Sequence, residues 1–446
     1  MRLGKNIGSV YNKGKEIQRV YSKGKLVWEC PPIDYSTKAF TIKCVSDRCY
    51  IRVRADNMKY SVSGGLYKDY SGIWYDADSG EEIELRGNGS RITIIASNAI
   101  GCYIRGKCDV YGNILSLIYG GGFSEYTNTP YRLNGFFVKP YSITGSDIRS
   151  ARNLILPAAT ESKCYAYMFN NCINLIEPPE LPHTVLSDYC YQGMFEGCSS
   201  LTIAPELPAT TLKYGCYESM FAGCSSLTSA PELPANELID GCYKSMFQNC
   251  TSLTSTPILH STNLANYCYQ GMFQGCSSLT IAPELPATTL STSCYSSMFN
   301  SCTQLTKTPI LHSTNLANYC YQGMFYDCVN ITTAPELPAT TLKYHCYESM
   351  FNGCANLTTA PELPASILVG GCYESMFAYC WDLDYVKCYA TSTINDATTV
   401  YTCVKNWLVN AGSHTSKTGR LECYYNIESE LAKNIPDDWN IYNIID

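Results

Sequence analysis

Cysteine returns every 26 residues from Cys164 through Cys190, Cys216, Cys242, Cys268, Cys294, Cys320 and Cys346 to Cys372. A second series, Cys172 to Cys380, follows each of these eight residues later, and together they hold 18 of the 26 cysteines. One unit reads Cys216-Tyr217-x-x-Met220-Phe221-x-x-Cys224-x-x-Leu227-Thr228-x-Ala230-Pro231-Glu232-Leu233-Pro234. A fixed period between about 20 and 50 residues belongs to stacked repeats or propellers, and a propeller blade needs about 40 residues. A 26-residue unit therefore points to coils that each bury a face against their neighbours, with ends that need caps.

Within a unit, Cys216, Met220, Cys224 and Leu227 stand at i, i+4, i+8 and i+11, a spacing that predicts one face of a helix. The prolines that follow exclude helix and call for an extended return. Leu227 to Ala230 is the expected strand, pairing in parallel with its equivalent one coil away. The fold class expected is an α/β solenoid: a leucine-rich-repeat-like stack of about nine to ten coils, preceded by a small all-β region and closed by a C-terminal cap. At about 4.8 Å per coil, nine coils reach on the order of 45 Å.

The sulfurs do not behave as a secreted disulfide framework, which is usually short and richer in cysteine. On a helix, residues eight apart are separated by about 12 Å, beyond the roughly 7 Å that a disulfide tolerates. A buried ladder of thiols is expected, with disulfides along a column and metal ligation as the alternatives. There is no C-x-x-C pair and only five histidines. No metal and no cofactor are expected. Met1 to Val10 carry Arg2 and Lys5 but no apolar run, so no secretory signal and no membrane insertion are expected.

Outside the array, residues 1–29 repeat a shorter unit: Val10-Tyr11-Asn12-Lys13-Gly14-Lys15 returns as Val20-Tyr21-Ser22-Lys23-Gly24-Lys25. Lys-Gly between β-branched and aromatic residues predicts hairpins. This segment holds seven Lys or Arg against two Glu, a net of +5; the remainder holds 25 against 37, a net of −12. Residues 30–110 alternate apolar and polar side chains, as in Phe40 to Cys44 and Arg91 to Ile95, and predict a small antiparallel β-sandwich. There Cys44 and Cys49, and Cys102 and Cys108, are expected as free thiols, a hairpin disulfide being the alternative. Residues 111–163 read as a transition and degenerate first coil, 164–380 as the repeat array and 381–446 as a capping module.

The array resembles the leucine-rich repeats of the BspA type, found in surface and adhesion proteins of anaerobic bacteria and in some of their phages. The resemblance rests on Met220-Phe221-x-x-Cys224-x-x-Leu227-Thr228-x-Ala230-Pro231, on Pro205 to Leu212, and on flanks such as Gly112 to Gly120 and Asp384 to Cys388. It departs in two coils, where Pro-Glu-Leu-Pro becomes Pro257-Ile258-Leu259-His260 and Pro309-Ile310-Leu311-His312. Residues 1–29 resemble the N-terminal segments of phage tail and baseplate-associated proteins. The resemblance implies a leucine-rich solenoid that binds rather than catalyses.

Two columns are candidate ligand faces. Tyr191, Tyr217, Tyr243, Tyr269, Tyr295, Tyr321 and Tyr347 follow the first cysteine of their coils; mutual stacking of the rings is the competing reading. Thr202, Thr228, Thr254, Thr280, Thr306, Thr332 and Thr358 lie on the expected strands. Glu180, Glu206, Glu232, Glu284, Glu336 and Glu362 form a broken carboxylate column that solvent or cations would screen. His345 beside Cys346 and Glu348 suggests a nucleophile with a base, but the cysteine belongs to the buried ladder. There is no phosphate loop, nucleophile elbow or zinc-protease motif, and no basic stripe for nucleic acid.

The function expected is a non-enzymatic structural or adhesion protein of a bacteriophage particle, a head- or tail-associated fibre or receptor-binding protein made in the host cytoplasm and released by lysis. Its particle anchor would be Tyr11, Lys13, Lys15, Arg19, Tyr21, Lys23, Lys25 and Trp28, docking on other virion proteins. Its array would meet a host surface glycan or protein, with specific recognition expected at the two ends. The alternative is a bacterial cell-surface adhesin of the BspA type.

Overall fold

A computed structural model describes residues 10–12, 15–17, 19–22, 25–29, 34–54, 58–69, 74–87, 101–119, 123, 128–129, 133–138, 145–393, 403–415, 418–424 and 435–444. The N-terminal segment forms two successive hairpins. Val10–Asn12 pairs antiparallel with Lys15–Ile17, and Arg19–Ser22 with Lys25–Glu29. The strand expected at Arg91 to Ile95 lies outside the described residues.

Two sheets follow. One runs in the order Ile148–Ile155, Cys108–Asn113, Thr41–Cys44, Glu82–Arg86, Lys59–Val62, Lys68–Asp69. The other runs Gly101–Arg105, Arg48–Arg54, Tyr75–Asp78. Alternation sets the faces: Ile83 and Leu85 are buried between half-buried Glu82, Glu84 and Arg86. Cys44 and Cys49 are joined in a disulfide across the turn, with Cα atoms 5.8 Å apart. Free thiols were expected there; the tight turn between Thr41–Cys44 and Arg48–Arg54 brings the two within bonding reach. Cys102 and Cys108 stay free and buried.

The larger sheet does not end at residue 110. Cys108–Asn113 pairs in parallel with Ile148–Ile155, whose Ser150 bridges in parallel to Glu177 of the first coil. The sheet's edge strand is thus the first rung of the repeat stack.

The repeats correct the helical expectation. Among the described residues the helices are Ser116–Tyr119 and the single 3-10 turn Tyr35–Thr37, both outside the array. Each Cys-Tyr-x-x-Met-Phe-x-x-Cys segment is instead a chain of tight turns. In the third coil the amides of Cys216, Glu218, Met220, Ala222 and Cys224 each bond the carbonyl three residues back. The intervening amides of Tyr217, Ser219, Phe221 and Gly223 donate to Cys242, Lys244, Met246 and Gln248 of the next coil, at 2.7–3.0 Å. Every backbone donor is used, half within the coil and half between coils. The turns require a left-handed residue every fourth position, and Ser219 (φ 55°) and Gly223 (φ 73°) supply it here.

The returns are extended but do not make continuous strands. Parallel contacts between coils are single bridges, such as Ser229↔Ser255 and Ile281↔Lys307. Every return holds at least one proline, which lacks an amide, so no unbroken ladder can form.

Inside the stack, side chains register with themselves. Phenylalanine rings from Phe169 to Phe377 stack at 5.6–5.8 Å between centroids. The column is closed below by Phe137, 5.0 Å from Phe169, with Leu133, Gly135 and Phe137 bonding the first coil through their amides. Above, Cys403, Lys405, Trp407 and Val409 accept from Tyr373, Ser375, Phe377 and Tyr379, which is the coil-to-coil pattern once more. The parallel strands Tyr385–Cys388, Gly419–Cys423 and Trp439–Asn443 finish this end. One hydrophobic core runs unbroken from Phe40 to Trp439.

Candidate functional site

All 18 repeat cysteines are buried thiols outside any disulfide, so the ladder is packing rather than cross-linking. The second cysteine of a coil has a polar task as well. Its thiol donates to the phenylalanine carbonyl of the preceding coil, as Cys224 Sγ to Phe195 O and Cys276 Sγ to Phe247 O, both at 3.1 Å. Burial pushes the Cys250 and Cys302 thiols up to about 12 and leaves them unreactive. The same holds for Cys346, also raised to about 12 by burial, which removes the nucleophile beside His345.

The tyrosine column is not a ligand face. Tyr191, Tyr217, Tyr243, Tyr295 and Tyr347 are 1% exposed, Tyr269 and Tyr321 2%. Their rings lie on one another at 5.7–6.1 Å. The turn chain explains the burial: its inward positions come in pairs, so Tyr217 beside Cys216 points inward as Phe221 beside Met220 does. Their hydroxyls rise far above the usual phenol range through burial.

The threonine column is exposed throughout, from Thr202 to Thr358. It alternates in a way the sequence does not announce. Thr254, Thr306 and Thr358 turn their hydroxyls onto the carbonyls of Thr228, Thr280 and Thr332 at 3.1–3.2 Å. Hydroxyls bound in this way recur every 52 residues, the period of the coils that carry Ile-Leu-His. Beside this row the glutamates Glu180, Glu206, Glu232, Glu284, Glu336 and Glu362 are exposed, and so are Ile258 and Ile310 where they interrupt the column.

At the N-terminal end of this face, the first two coils enclose a groove of about 670 Å³. Its walls are Pro178, Pro179, Pro182, Pro205 and Pro208, its apolar contacts Ile176 and Ile203, and its charges Arg152, Glu177, Glu180 and Glu206. Three carboxylates against one guanidinium favour a ligand with cationic or hydroxyl groups. Prolines make the walls stiff, so little entropy is lost on binding. The signal in the sequence is a departure from the repeat: Ile176-Glu177-Pro178 stands where later coils read Thr-x-Ala or Thr-x-Thr.

Of the candidate anchor residues, Lys13 and Lys23 lie outside the described residues. Tyr11, Lys15, Arg19, Tyr21, Lys25 and Trp28 lie on the hairpin strands, and their side chains are outside the described part. Among the described residues no helix is long and apolar enough to cross a membrane.

Residues 146–229, 192–332 and 270–405 match the BspA type leucine rich repeat region, in six copies. The matched span, 146 to 405, is more than half of the chain. No curated protein matches the chain.

Proposed function

The chain belongs to the BspA type leucine-rich repeat family; we propose that it is a non-enzymatic adhesion protein, and, from its N-terminal segment, one of a bacteriophage particle. On this reading the stack is a stiff solenoid that presents its threonine and glutamate face, with the proline-walled groove at one end, to a host surface glycan or protein. The observation that carries the binding role is the exposed row Thr202 to Thr358, a surface that repeats its chemistry coil after coil. Such a surface suits a ligand that is itself repetitive, whereas a small-molecule site needs unlike groups converging on one point.

The particle reading rests on the basic N-terminal hairpins, Val10 to Ile17 and Arg19 to Glu29. A two-stranded ribbon of this size gains stability from a partner surface. The net charge of +5 over residues 1–29 favours an acidic dock among other virion proteins. Mass spectrometry of purified particles should find the protein, and deletion of residues 1–29 should abolish its incorporation. Absence from particles together with presence on intact uninfected cells would overturn this reading in favour of a bacterial surface adhesin, the reading that the family itself favours. For the ligand face, the triple variant Thr228→Arg, Thr280→Arg, Thr332→Arg should weaken host-cell binding at least tenfold with an unchanged circular dichroism spectrum. Unimpaired binding by that variant would remove the face from the mechanism.

A further inference from the structure

Two residues after the first cysteine of each coil, polar side chains form a ladder: Gln192, Glu218, Lys244, Gln270, Ser296, Gln322, Glu348, Glu374 and, in the closing coil, Lys405. Where a carboxylate occurs early in the ladder, donors stand on both sides of it. Glu218 accepts from Gln192 Nε2 at 2.9 Å and pairs with Lys244 Nζ at 3.2 Å. At the C-terminal end this rule breaks, because Glu348 and Glu374 are consecutive. Gln322 Nε2 serves Glu348 from one side at 2.9 Å, and Lys405 Nζ serves Glu374 from the other at 3.3 Å. Between the two carboxylates lies the imidazole of His345.

The imidazole is held in place. Its ring lies flat on Tyr319, 4.9 Å between centroids and 3° between planes. On its other side is Gly371, where an added Cβ would collide with His345 Nδ1. That nitrogen is 2.9 Å from Glu348 Oε2, but out of line for a hydrogen bond, so it is buried without a hydrogen-bond partner. One imidazole nitrogen of His345 and one carboxylate oxygen each from Glu348 and Glu374 lie within 4.8 Å of one another. No other coil has histidine at this position: the equivalents are Lys163, Tyr189, Gly215, Gly241, Tyr267, Ser293, Tyr319 and Gly371.

We propose that His345, Glu348 and Glu374 bind a divalent cation of the zinc class, clamping the last full coil to the one before it. One imidazole nitrogen and two carboxylate oxygens are ligands that zinc accepts, and water would complete the shell. Bonds of about 2.0–2.2 Å place the three atoms about 3.3 Å from one another, so His345 and Glu348 part slightly from 2.9 Å while Glu374 draws in, movements that half-buried side chains can make without backbone movement. The ion removes the repulsion between adjacent carboxylates and gives the orphaned nitrogen a partner. Lys405 occupies one oxygen of Glu374 and leaves the other for the ion.

The test is calorimetric titration of the full chain with zinc chloride at pH 7.5, under reducing conditions without chelating thiols. One ion should bind per chain, and zinc should raise the melting temperature. His345→Asn and Glu374→Gln should each weaken binding at least tenfold and abolish the thermal shift. Circular dichroism of each variant separates loss of the site from loss of the fold; should His345→Asn not fold, Glu374→Gln alone decides. Wild-type affinity in a folded variant, or no zinc-dependent heat in the native chain, would overturn the proposal. Zinc taken up by the cysteines instead would appear as binding that persists in both variants.

Discussion

Replacing serine by glycine at Ser245, Ser297 and Ser349 should stabilise this protein, which is the reverse of what the same change does in a helix. The three residues have φ of 53°, 54° and 53°, in the left-handed region. Holding a residue with a Cβ there costs roughly 1–2 kcal/mol, and glycine gives back about 0.5–1 kcal/mol through its freer unfolded chain. The net gain is about 0.5–1 kcal/mol per site. Glycine already occupies the same position in Gly193, Gly271 and Gly323, at φ 56°, 60° and 57°, so the backbone geometry accepts it. The sites are separated by whole coils and should add, to about 1.5–3 kcal/mol for the triple variant. A urea titration followed by circular dichroism reads this as a higher midpoint at unchanged slope. If these segments were helical, each glycine would cost a few tenths of a kcal/mol to about 0.5 kcal/mol. A lower midpoint for the triple variant would refute the turn-chain reading of the repeats.

Three further outcomes follow from the interior of the stack. The hydroxyl of Tyr243 is buried without a hydrogen-bond partner, whereas that of Tyr165 donates to Pro157 O at 2.5 Å. Tyr243→Phe should therefore raise stability by about 1 kcal/mol and Tyr165→Phe lower it by about as much, measured by urea midpoint; equal losses from both would contradict the assignment. Burial raises Cys250 and Cys302 from 9.0 to about 12, so the folded state keeps protons that the unfolded chain releases. Stability is then full below pH 9 and falls as pH climbs toward 12, and thermal melts across that window should show the decline. At pH 8 the repeat thiols should resist iodoacetamide in the native chain and react in 8 M urea, counted by mass spectrometry; rapid native labelling would contradict their burial.

The period was plain in the chain because every coil repeats its inward residues, and a period is blind to the local backbone. That is why the stack was legible and the turns were not. Cys216, Met220 and Cys224 recur every four residues, close enough to the 3.6 of a helix to pass for one over two turns. The neighbours of those residues argue against a helix. Tyr217 and Phe221 are as buried as Cys216 and Met220, and a strict repeat of four with paired inward positions is not a helical stripe. Gly215, Ser219, Gly241 and Ser245 stand just before such pairs with positive φ, and the recurring glycine there marks a left-handed turn position. The tyrosine column stood as a candidate ligand face by the same step; the competing reading, rings stacked on one another, is the one the structure shows. The disulfide Cys44–Cys49 depends on a tight turn, which spacing alone does not reveal.

Recognition at the two ends of the array is the expectation the fold most alters. The first coil is covered by Leu133 to Val138 and by the edge strand Ile148–Ile155, the last by Cys403 to Val409 and the strands that follow. At both ends the core columns are covered, as a stacked core requires wherever it stops, although Tyr379, Trp381 and Tyr385 near the C-terminal end stay exposed at their sides. Of the divergent residues at the ends, Phe137 closes the phenylalanine column and Trp407 is fully buried, so neither ring is open to a partner. What remains accessible along the array is its flank, where Thr202 to Thr358 are exposed and where the groove between the first two coils opens. The groove joins the two requirements that a periodic flank alone cannot meet. It shares the glutamates Glu180 and Glu206 with the repeated face, and its Ile176, Glu177 and Pro178 break the repeat; under the proposed binding role a long ligand would cross it and be singled out at that one position.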